Sequence, residues 1–368
     1  MRIIRIIKIA FCGLLLGATS VSVFAQTSNP ISDTIAPGAL TLRIVDWIQV
    51  PYSDTPPTPP RINLAFHARD NSGRLFVNDQ RGYLYVIDND VISLYLDAYA
   101  VLPNALTDDI FGTGFHGFTF HPNFASNGKF YTVHMEPWLT APADLGIPGT
   151  LPWLDSIVTE WTALDPSSNV FDGSKREMLR IEQPFLIHTI QDIGFNPNSA
   201  PGDPDYGMLY IAQGDGGILD TDRAQSLAVA HGSILRIDPA GTDGGNGGYG
   251  IPPDNPFAAD ADPDTLGEIW AYGLRNPHRF SWDTGGSGVM LIGDIGEKNI
   301  EEINIGEPGR NYGWNLREGT FRFDIPTPAV VYPLPADDAL NNFTYPVVQY
   351  DHDDGFAMVG GFVYRGSA

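Results

Sequence analysis

The chain of 368 residues has very little cysteine, little positive charge and no long hydrophobic run. Its one cysteine, Cys12, excludes a framework of internal disulfides, so a hydrophobic core must hold the fold together. The 21 lysine and arginine residues are outnumbered by 44 aspartate and glutamate residues, which gives a formal net charge of −23. Such an acidic chain repels nucleic acid and anionic membranes, which excludes both as partners. No apolar stretch is long enough for a membrane span.

The N-terminus has the composition of a secretory signal peptide. Arg2, Arg5 and Lys8 precede an apolar run at residues 9–17, and small residues then lead to Ala25. This order predicts a signal peptide over residues 1–25 and a periplasmic or secreted protein. Cleavage there removes three basic residues and no acidic one, which changes the formal charge to −26.

Helical periodicity is almost absent after the signal peptide, which indicates an all-β fold. Short runs of β-branched and aromatic residues lie between clusters of Gly, Pro, Asn and Asp. The only proline-rich stretch, at residues 51–60, predicts an N-terminal lead-in over residues 26–60. No linker divides the rest of the chain, so we predict one domain over residues 61–368.

A weak internal repeat favours a β-propeller. Residues 73–88 pair two strands across a turn at Arg81 and Gly82, and residues 207–215 with 232–238 repeat this unit with an insertion. Further strands are predicted at residues 129–135, 157–164, 289–294 and 358–364. Repetition of a strand–turn–strand unit is typical of propellers. The pattern alone leaves a sandwich or a barrel open.

The most specific segment spans residues 268–314. It contains LRNPHR at 274–279, the short strand MLIGDIG at 290–296, and a loop in which Asp294, Glu297, Glu301 and Glu302 crowd together. This segment resembles the signature of the soluble quinoprotein glucose/sorbosone dehydrogenase family. Further pieces occur in the family's order: RLFV at 74–77, GYLYVID at 82–88, GFTFHPNF at 117–124, GDGG at 214–217, GSILRIDP at 232–239, GIPPDNPF at 250–257 and GGFVYRG at 360–366.

The resemblance implies a six-bladed β-propeller over most of the mature chain. Family members continue beyond the GGFVYRG piece, so we expect the propeller to be incomplete at its C-terminus. The family includes enzymes that use pyrroloquinoline quinone (PQQ) and calcium to oxidise sugars. The implied reaction is oxidation of an aldose sugar, in which hydride passes from the anomeric carbon to the quinone and electrons then leave to an external acceptor.

Two other functions stay open on the same scaffold. The family also includes propellers of the hedgehog-interacting type, so one alternative is a calcium-stabilised propeller that binds a protein or glycan without catalysis. The other alternative is a calcium-dependent hydrolase of the lactonase type. The sequence also leaves a homodimer open.

The resemblance assigns two catalytic residues. His188 matches the family's general base, and imidazole has a pKa suited to taking a hydroxyl proton near neutrality. Arg275 and Asn276 match the pair that contacts PQQ, and a guanidinium group can stabilise negative charge that develops on the quinone. From the residues alone, His188 could be structural, and Arg275 with Asn276 could merely shape a turn.

Calcium prefers hard oxygen ligands, and the resemblance assigns them to four residues. Gly296 and Glu297 match positions that contact the cofactor and whose backbone carbonyls hold its calcium ion. Glu302 and Tyr312 match a further calcium position, where Tyr312 contributes its carbonyl.

Two aspartates are predicted to face the substrate pocket. Asp192 lies four residues after His188 and could orient its ring or face water. Asp215 lies in a glycine-rich turn that we expect at the pocket rim. The acidic run at 260–264 lacks the EF-hand pattern and is predicted to be a solvated loop.

Overall fold

The structure is a computed structural model that describes residues 30–36, 38, 43–53, 59–107, 112–219 and 222–366. The predicted signal peptide, residues 1–25, lies outside these ranges. Within them, helix is confined to α1 (Ala98–Val101), α2 (Phe124–Asn127) and the single 3-10 turns Arg223–Gln225 and Asp338–Asn341. None of these helices has the length and apolarity that crossing a membrane requires. The all-β prediction is confirmed.

Four antiparallel sheets, named blades 1 to 4, follow one another along the described chain. Blade 1 comprises β1 (Ile62–His67), β2 (Leu75–Asp79), β3 (Tyr83–Asp88) and β4 (Val91–Asp97). Blade 2 comprises β5 (Gly117–Phe120), β6 (Lys129–Pro137), β7 (Leu154–Ala163) and β8 (Gly173–Gln183). Blade 3 comprises β9 (Ile190–Phe195), β10 (Leu209–Gln213), β11 (Ser233–Ile237) and β12 (Ile269–Tyr272).

Blade 4 carries an insertion. It begins with β13 (Pro277–Trp282), β14 (Met290–Asp294) and β15 (Ile300–Gly306). A hairpin of β16 (Arg317–Glu318) and β17 (Phe321–Arg322) then intervenes before β18 (Val348–Asp351) pairs with β15. The first strands β1, β5, β9 and β13 contact one another in that order, and they line the central channel as the inner strands of a propeller do. The propeller prediction is confirmed, and the count of six blades stays a prediction.

Hydrophobic layers between adjacent blades form the core. Aromatic side chains fill the layer between blades 1 and 2, where Phe130 stacks on Trp161 at a centroid distance of 5.9 Å. Aliphatic residues dominate the layer between blades 2 and 3, and a third layer around Trp270 joins blades 3 and 4. Each fully buried large side chain contributes roughly 1.5–3 kcal/mol, so these layers replace the disulfides that the chain lacks.

One end of the channel holds a mostly apolar cavity of about 580 Å³. Phenylalanines from all four inner strands and from the C-terminal segment line it: Phe66, Phe118, Phe195, Phe280 and Phe362. The prediction of a strand at residues 358–364 is wrong, because the structure has no strand there. A strand needs a backbone ladder, whereas Met358 N–H donates to the Glu301 carboxylate at 2.7 Å and the Gly361 carbonyl accepts from the Ser281 hydroxyl at 2.6 Å.

The described part of the lead-in forms no helix or strand but contacts both outer blades. Ile31 N–H donates to Asp351 Oδ2 in blade 4 at 3.1 Å. The Trp47 indole donates to Asp90 Oδ1 in blade 1 at 2.9 Å. The described parts of the lead-in therefore contact both the last and the first of the four blades.

Candidate functional site

The predicted catalytic residues lie at one end of the inner strands. His188 precedes β9 by two residues, and Arg275 and Asn276 lie immediately before β13. The cavity occupies the opposite end, where residues that come after the inner strands, such as His121 and Asn196, line it. The site residues thus lie in short loops that precede the inner strands of different blades, at one end of the channel.

His188 is held by Asp215 rather than by its neighbour in sequence. Its Nδ1 lies 2.7 Å from Asp215 Oδ1, and both side chains are at least nine-tenths buried. Asp215 also accepts from Gly217 N–H at 2.8 Å. A carboxylate at Nδ1 keeps the proton on that nitrogen, which leaves Nε2 as an acceptor. Among the described residues, nothing bonds to Nε2.

The pKa of Asp215 lies below its usual value. Burial alone would raise it, but the charge and the hydrogen bond of His188 act in the opposite direction, and Arg275 adds to them. Asp215 is therefore ionised at neutral pH, and it can stabilise an imidazolium that forms on His188.

Asp215 also joins His188 to Arg275, although these two residues are 87 positions apart. Its backbone N–H donates to the Arg275 carbonyl at 2.7 Å. Its Oδ2 accepts from the Trp314 indole at 2.8 Å, and the Arg275 guanidinium lies 5.6 Å from the centre of the Trp314 ring. The base candidate and the cofactor candidate thus belong to one cluster.

The Arg275 guanidinium is only partly satisfied. Its Nη1 donates to the Ile295 carbonyl at 3.0 Å and its Nη2 pairs with the Glu297 carboxylate. Its Nε is buried without a partner among the described residues, and so is Asn276 Oδ1. Buried polar atoms normally find partners, so two unpaired atoms on consecutive residues fit a polar ligand that has oxygens for the guanidinium. The carboxylates and quinone oxygens of PQQ meet that requirement.

The acidic loop brings Asp294 and Glu302 opposite each other on β14 and β15. Asp294 accepts from the backbone N–H groups of Arg275 and Asn276, and Glu302 accepts from Gly319 N–H and the Asn304 amide. Burial raises the pKa of both carboxyl groups, and the charge of Asp294 raises that of Glu302 further. Neither forms an ion pair with a described side chain, so the pair fits an added cation.

Glu297 and Tyr312, two of the four predicted calcium ligands, have side chains with partners inside the protein, and the backbone carbonyls assigned to Gly296, Glu297 and Tyr312 stay a prediction. Glu297 is paired with Arg275, and the Tyr312 hydroxyl donates to the Ile305 carbonyl at 2.6 Å within the core. Gly296 N–H donates to the Glu301 carboxylate at 3.2 Å. In the part of the chain that the structure describes, no three His, Cys, Asp or Glu residues form a group that could hold a metal ion. Backbone carbonyls would have to complete a calcium site.

Asp192 does not orient His188. Its carboxylate accepts from Ile193 N–H at 3.0 Å and Phe280 N–H at 3.2 Å, and it lines the apolar cavity. Burial raises the pKa of Asp192 to about 6. The two aspartates predicted to share the substrate pocket therefore have different surroundings, and only Asp215 lies in the His188 cluster.

Three residues of this region have no role that the sequence predicts. Trp314 links Asp215 to Arg275, and it closes the sequence segment that carries the resemblance. In the sequence, Asp294 is only one of several acidic residues close together. Glu318 Oε1 accepts from the backbone N–H groups of residues 297–300, a contact across the insertion that no local sequence signal could reveal.

Residues 201–368 match the family described as Glucose / Sorbosone dehydrogenase. The HIPL2 protein of Arabidopsis thaliana is 30% identical over 350 residues, covering 83% of this chain and 48% of that protein. The Hedgehog-interacting protein of Mus musculus is 29% identical over 265 residues, covering 67% of this chain and 35% of that protein. The chain thus spans about half the length, or less, of these curated relatives.

A solved structure gives the same fold. The PQQ-bound aldose sugar dehydrogenase of Streptomyces coelicolor superposes with a TM-score of 0.57 at 20% identity, covering 86% of this chain and 74% of that one. Identity this low shows the shared propeller and leaves the chemistry of this chain to its own residues.

Proposed function

We propose that this chain, whose residues 201–368 match the glucose/sorbosone dehydrogenase family, binds PQQ and calcium and oxidises an aldose sugar. The observation that supports this most is the convergence of His188 and Arg275 on Asp215 and Trp314. The PQQ-bound relative of the same fold favours the same cofactor here. On the signal peptide predicted for residues 1–25, we place the reaction in the periplasm or outside the cell.

His188 supplies the base. With Nδ1 held by Asp215, Nε2 can accept the proton of the anomeric hydroxyl. Asp215 stabilises the imidazolium that results and fixes the orientation of the ring. The buried position of both side chains limits competition from water for this proton transfer.

Arg275 and Asn276 would hold the cofactor. Their unpaired Nε and Oδ1 atoms provide a donor and an acceptor on two consecutive residues. PQQ, when bound, supplies the acceptor for the two electrons of the sugar. A calcium ion near Asp294 and Glu302 would neutralise the buried carboxylates and, with Arg275, stabilise negative charge at the site.

The test is reconstitution with PQQ and calcium chloride, followed by dye-linked oxidation of a panel of aldoses. We expect activity in the unmodified chain, which His188→Gln lowers by roughly 10²–10⁴-fold while PQQ binding stays within about threefold. Asp215→Asn should lower kcat far more than it changes KM, since it disturbs the tautomer and not the pocket. Full activity of His188→Gln would contradict the assignment of the base.

A second candidate is a propeller that binds a partner without catalysis. The observation in its favour is that Glu297 already occupies the outer end of the Arg275 guanidinium. Absence of PQQ binding and of aldose oxidation in the reconstituted chain, together with calcium-dependent stability, would select this function.

A further inference from the structure

The ion pair of Arg275 and Glu297 differs from a purely structural salt bridge. Arg275 is fixed from one side by the Trp314 ring and from another by the Ile295 carbonyl. Glu297 contacts only Nη2, although a carboxylate can bind the Nε and Nη2 edge of arginine through two parallel bonds. The Nε beside it stays buried and unpaired. A ligand carboxylate in that position would make the bidentate contact that Glu297 does not make.

The loop that carries Glu297 has a fixed backbone, and the Glu297 side chain, which is 11% exposed, lies between Arg275 and Lys298. Glu318 accepts from the backbone N–H groups of residues 297–300, which fixes the path of the loop. On the outer side, Lys298 Nζ lies 3.8 Å from Glu297 Oε1, and the Lys298 side chain is 55% exposed. The Glu297 carboxylate can therefore turn from Arg275 towards Lys298 and water without any change in the fold.

We infer that Glu297 is an internal competitor that occupies the anion site of Arg275 and sets its affinity for carboxylate ligands. An incoming carboxylate displaces the Glu297 side chain towards Lys298 and takes its place on Nη2 together with the unpaired Nε. This inference rests on the proposed function in one respect, namely that PQQ is the carboxylate ligand in question.

The experiment is titration of the full chain with two probes, PQQ in the presence of calcium and malonate as a simple dicarboxylate. Binding is followed by calorimetry and by the fluorescence of the tryptophans, which include Trp314 against the guanidinium. We expect Glu297→Gln to tighten the binding of both probes by about tenfold or more, because the internal anion is gone. Lys298→Ala should weaken binding slightly, since it removes the outward partner of Glu297.

Controls separate the site from general charge effects. Glu307→Gln removes the same charge from an exposed pair with Arg310 and should leave both affinities unchanged. Arg275→Met should abolish the gain from Glu297→Gln when the two are combined. Glu297→Ala serves as a second variant, and the melting temperature of each variant reports that it is folded.

The outcomes are distinct for the two proposals. Equal affinities of the unmodified chain and both Glu297 variants would overturn the inference. Tighter malonate binding without any PQQ binding would keep Glu297 as the competitor and overturn the quinone function. If PQQ binds tightly and its affinity is unchanged in the Glu297 and Arg275 variants, the quinone site lies elsewhere in the chain. That result also overturns the inference.

Discussion

Blade 2 and blade 4 each bury a group of carboxylates, but only blade 2 places an arginine among them. The Arg180 side chain is 2% exposed and donates to Glu136, Asp155 and Glu177 at 2.7–2.9 Å. In blade 4, the groups among the described residues that donate to Asp294 and Glu302 are backbone N–H groups and one amide. Arg275, whose backbone N–H bonds to Asp294, directs its guanidinium to Glu297 and Ile295.

The two clusters therefore have different roles. A buried carboxylate group that has its own cation needs no further charge and acts within the fold. A buried pair that lacks an ion pair among the described residues must take up protons, in line with its raised pKa values, or bind a cation from outside. Blade 4 thus resembles a binding site and blade 2 a structural support.

The largest expected effect is in blade 2. Arg180→Met leaves the buried carboxylates of Glu136 and Asp155 without their cation, so we expect a loss of about 3–5 kcal/mol in the free energy of unfolding, measured by urea denaturation. Arg310→Met, which breaks an exposed pair, should change it by less than about 0.5 kcal/mol. A similar small change for both variants would remove the contrast between buried and exposed pairs.

Calcium should stabilise the chain through blade 4. A ligand that binds only the folded state adds about 2.7 kcal/mol at 100 times its Kd, so the melting temperature should rise with calcium and fall with EDTA. The measurement is thermal unfolding in both conditions. Identical melting temperatures would leave blade 4 without the cation that the comparison requires.

Replacing one buried acid by its amide should lower the free energy of unfolding in blade 2 and raise it in blade 4. Glu136→Gln weakens the bond to Arg180, and we expect it to destabilise by roughly 1.5–3 kcal/mol. Glu302→Gln removes the repulsion with Asp294, and the unpaired Asn304 Oδ1 can accept from the new amide after a flip. In EDTA, Glu302→Gln should therefore raise the free energy of unfolding by about 1 kcal/mol. Calcium should no longer raise the melting temperature of this variant. If both variants changed the free energy of unfolding in the same direction, the two clusters would not differ in the way described.

Much of the fold was predictable because its unit is local. The strand pair at residues 73–88 and the one at 207–238 need only alternation and turn residues, and the structure has both as β2–β3 and β10–β11. The strand at residues 358–364 was predicted from the same composition and was wrong. Composition shows that a segment can form a strand, whereas a ladder also needs a neighbour with free backbone groups.

The sequence predicted which residues lie at the site better than it predicted which of them contact each other. The resemblance pointed to His188 and Arg275, and the structure brings them together. The partner of His188 was not evident, because Asp192 is close in sequence while Asp215 comes close only through the pairing of β9 with β10. Alternation along β9 directs the Asp192 carboxylate to backbone groups of blade 3 and blade 4 instead. The occupation of Arg275 by Glu297 also depends on loop geometry that no residue pattern specifies.

The most direct test of a quinone and calcium site in blade 4 is a titration of the full chain with PQQ, in calcium and in EDTA. We predict saturable binding of one PQQ per chain in calcium, at least about tenfold weaker binding in EDTA, and loss of binding in Arg275→Met. Absence of PQQ binding in calcium, or binding that neither EDTA nor Arg275→Met changes, would contradict the claim that blade 4 forms this site.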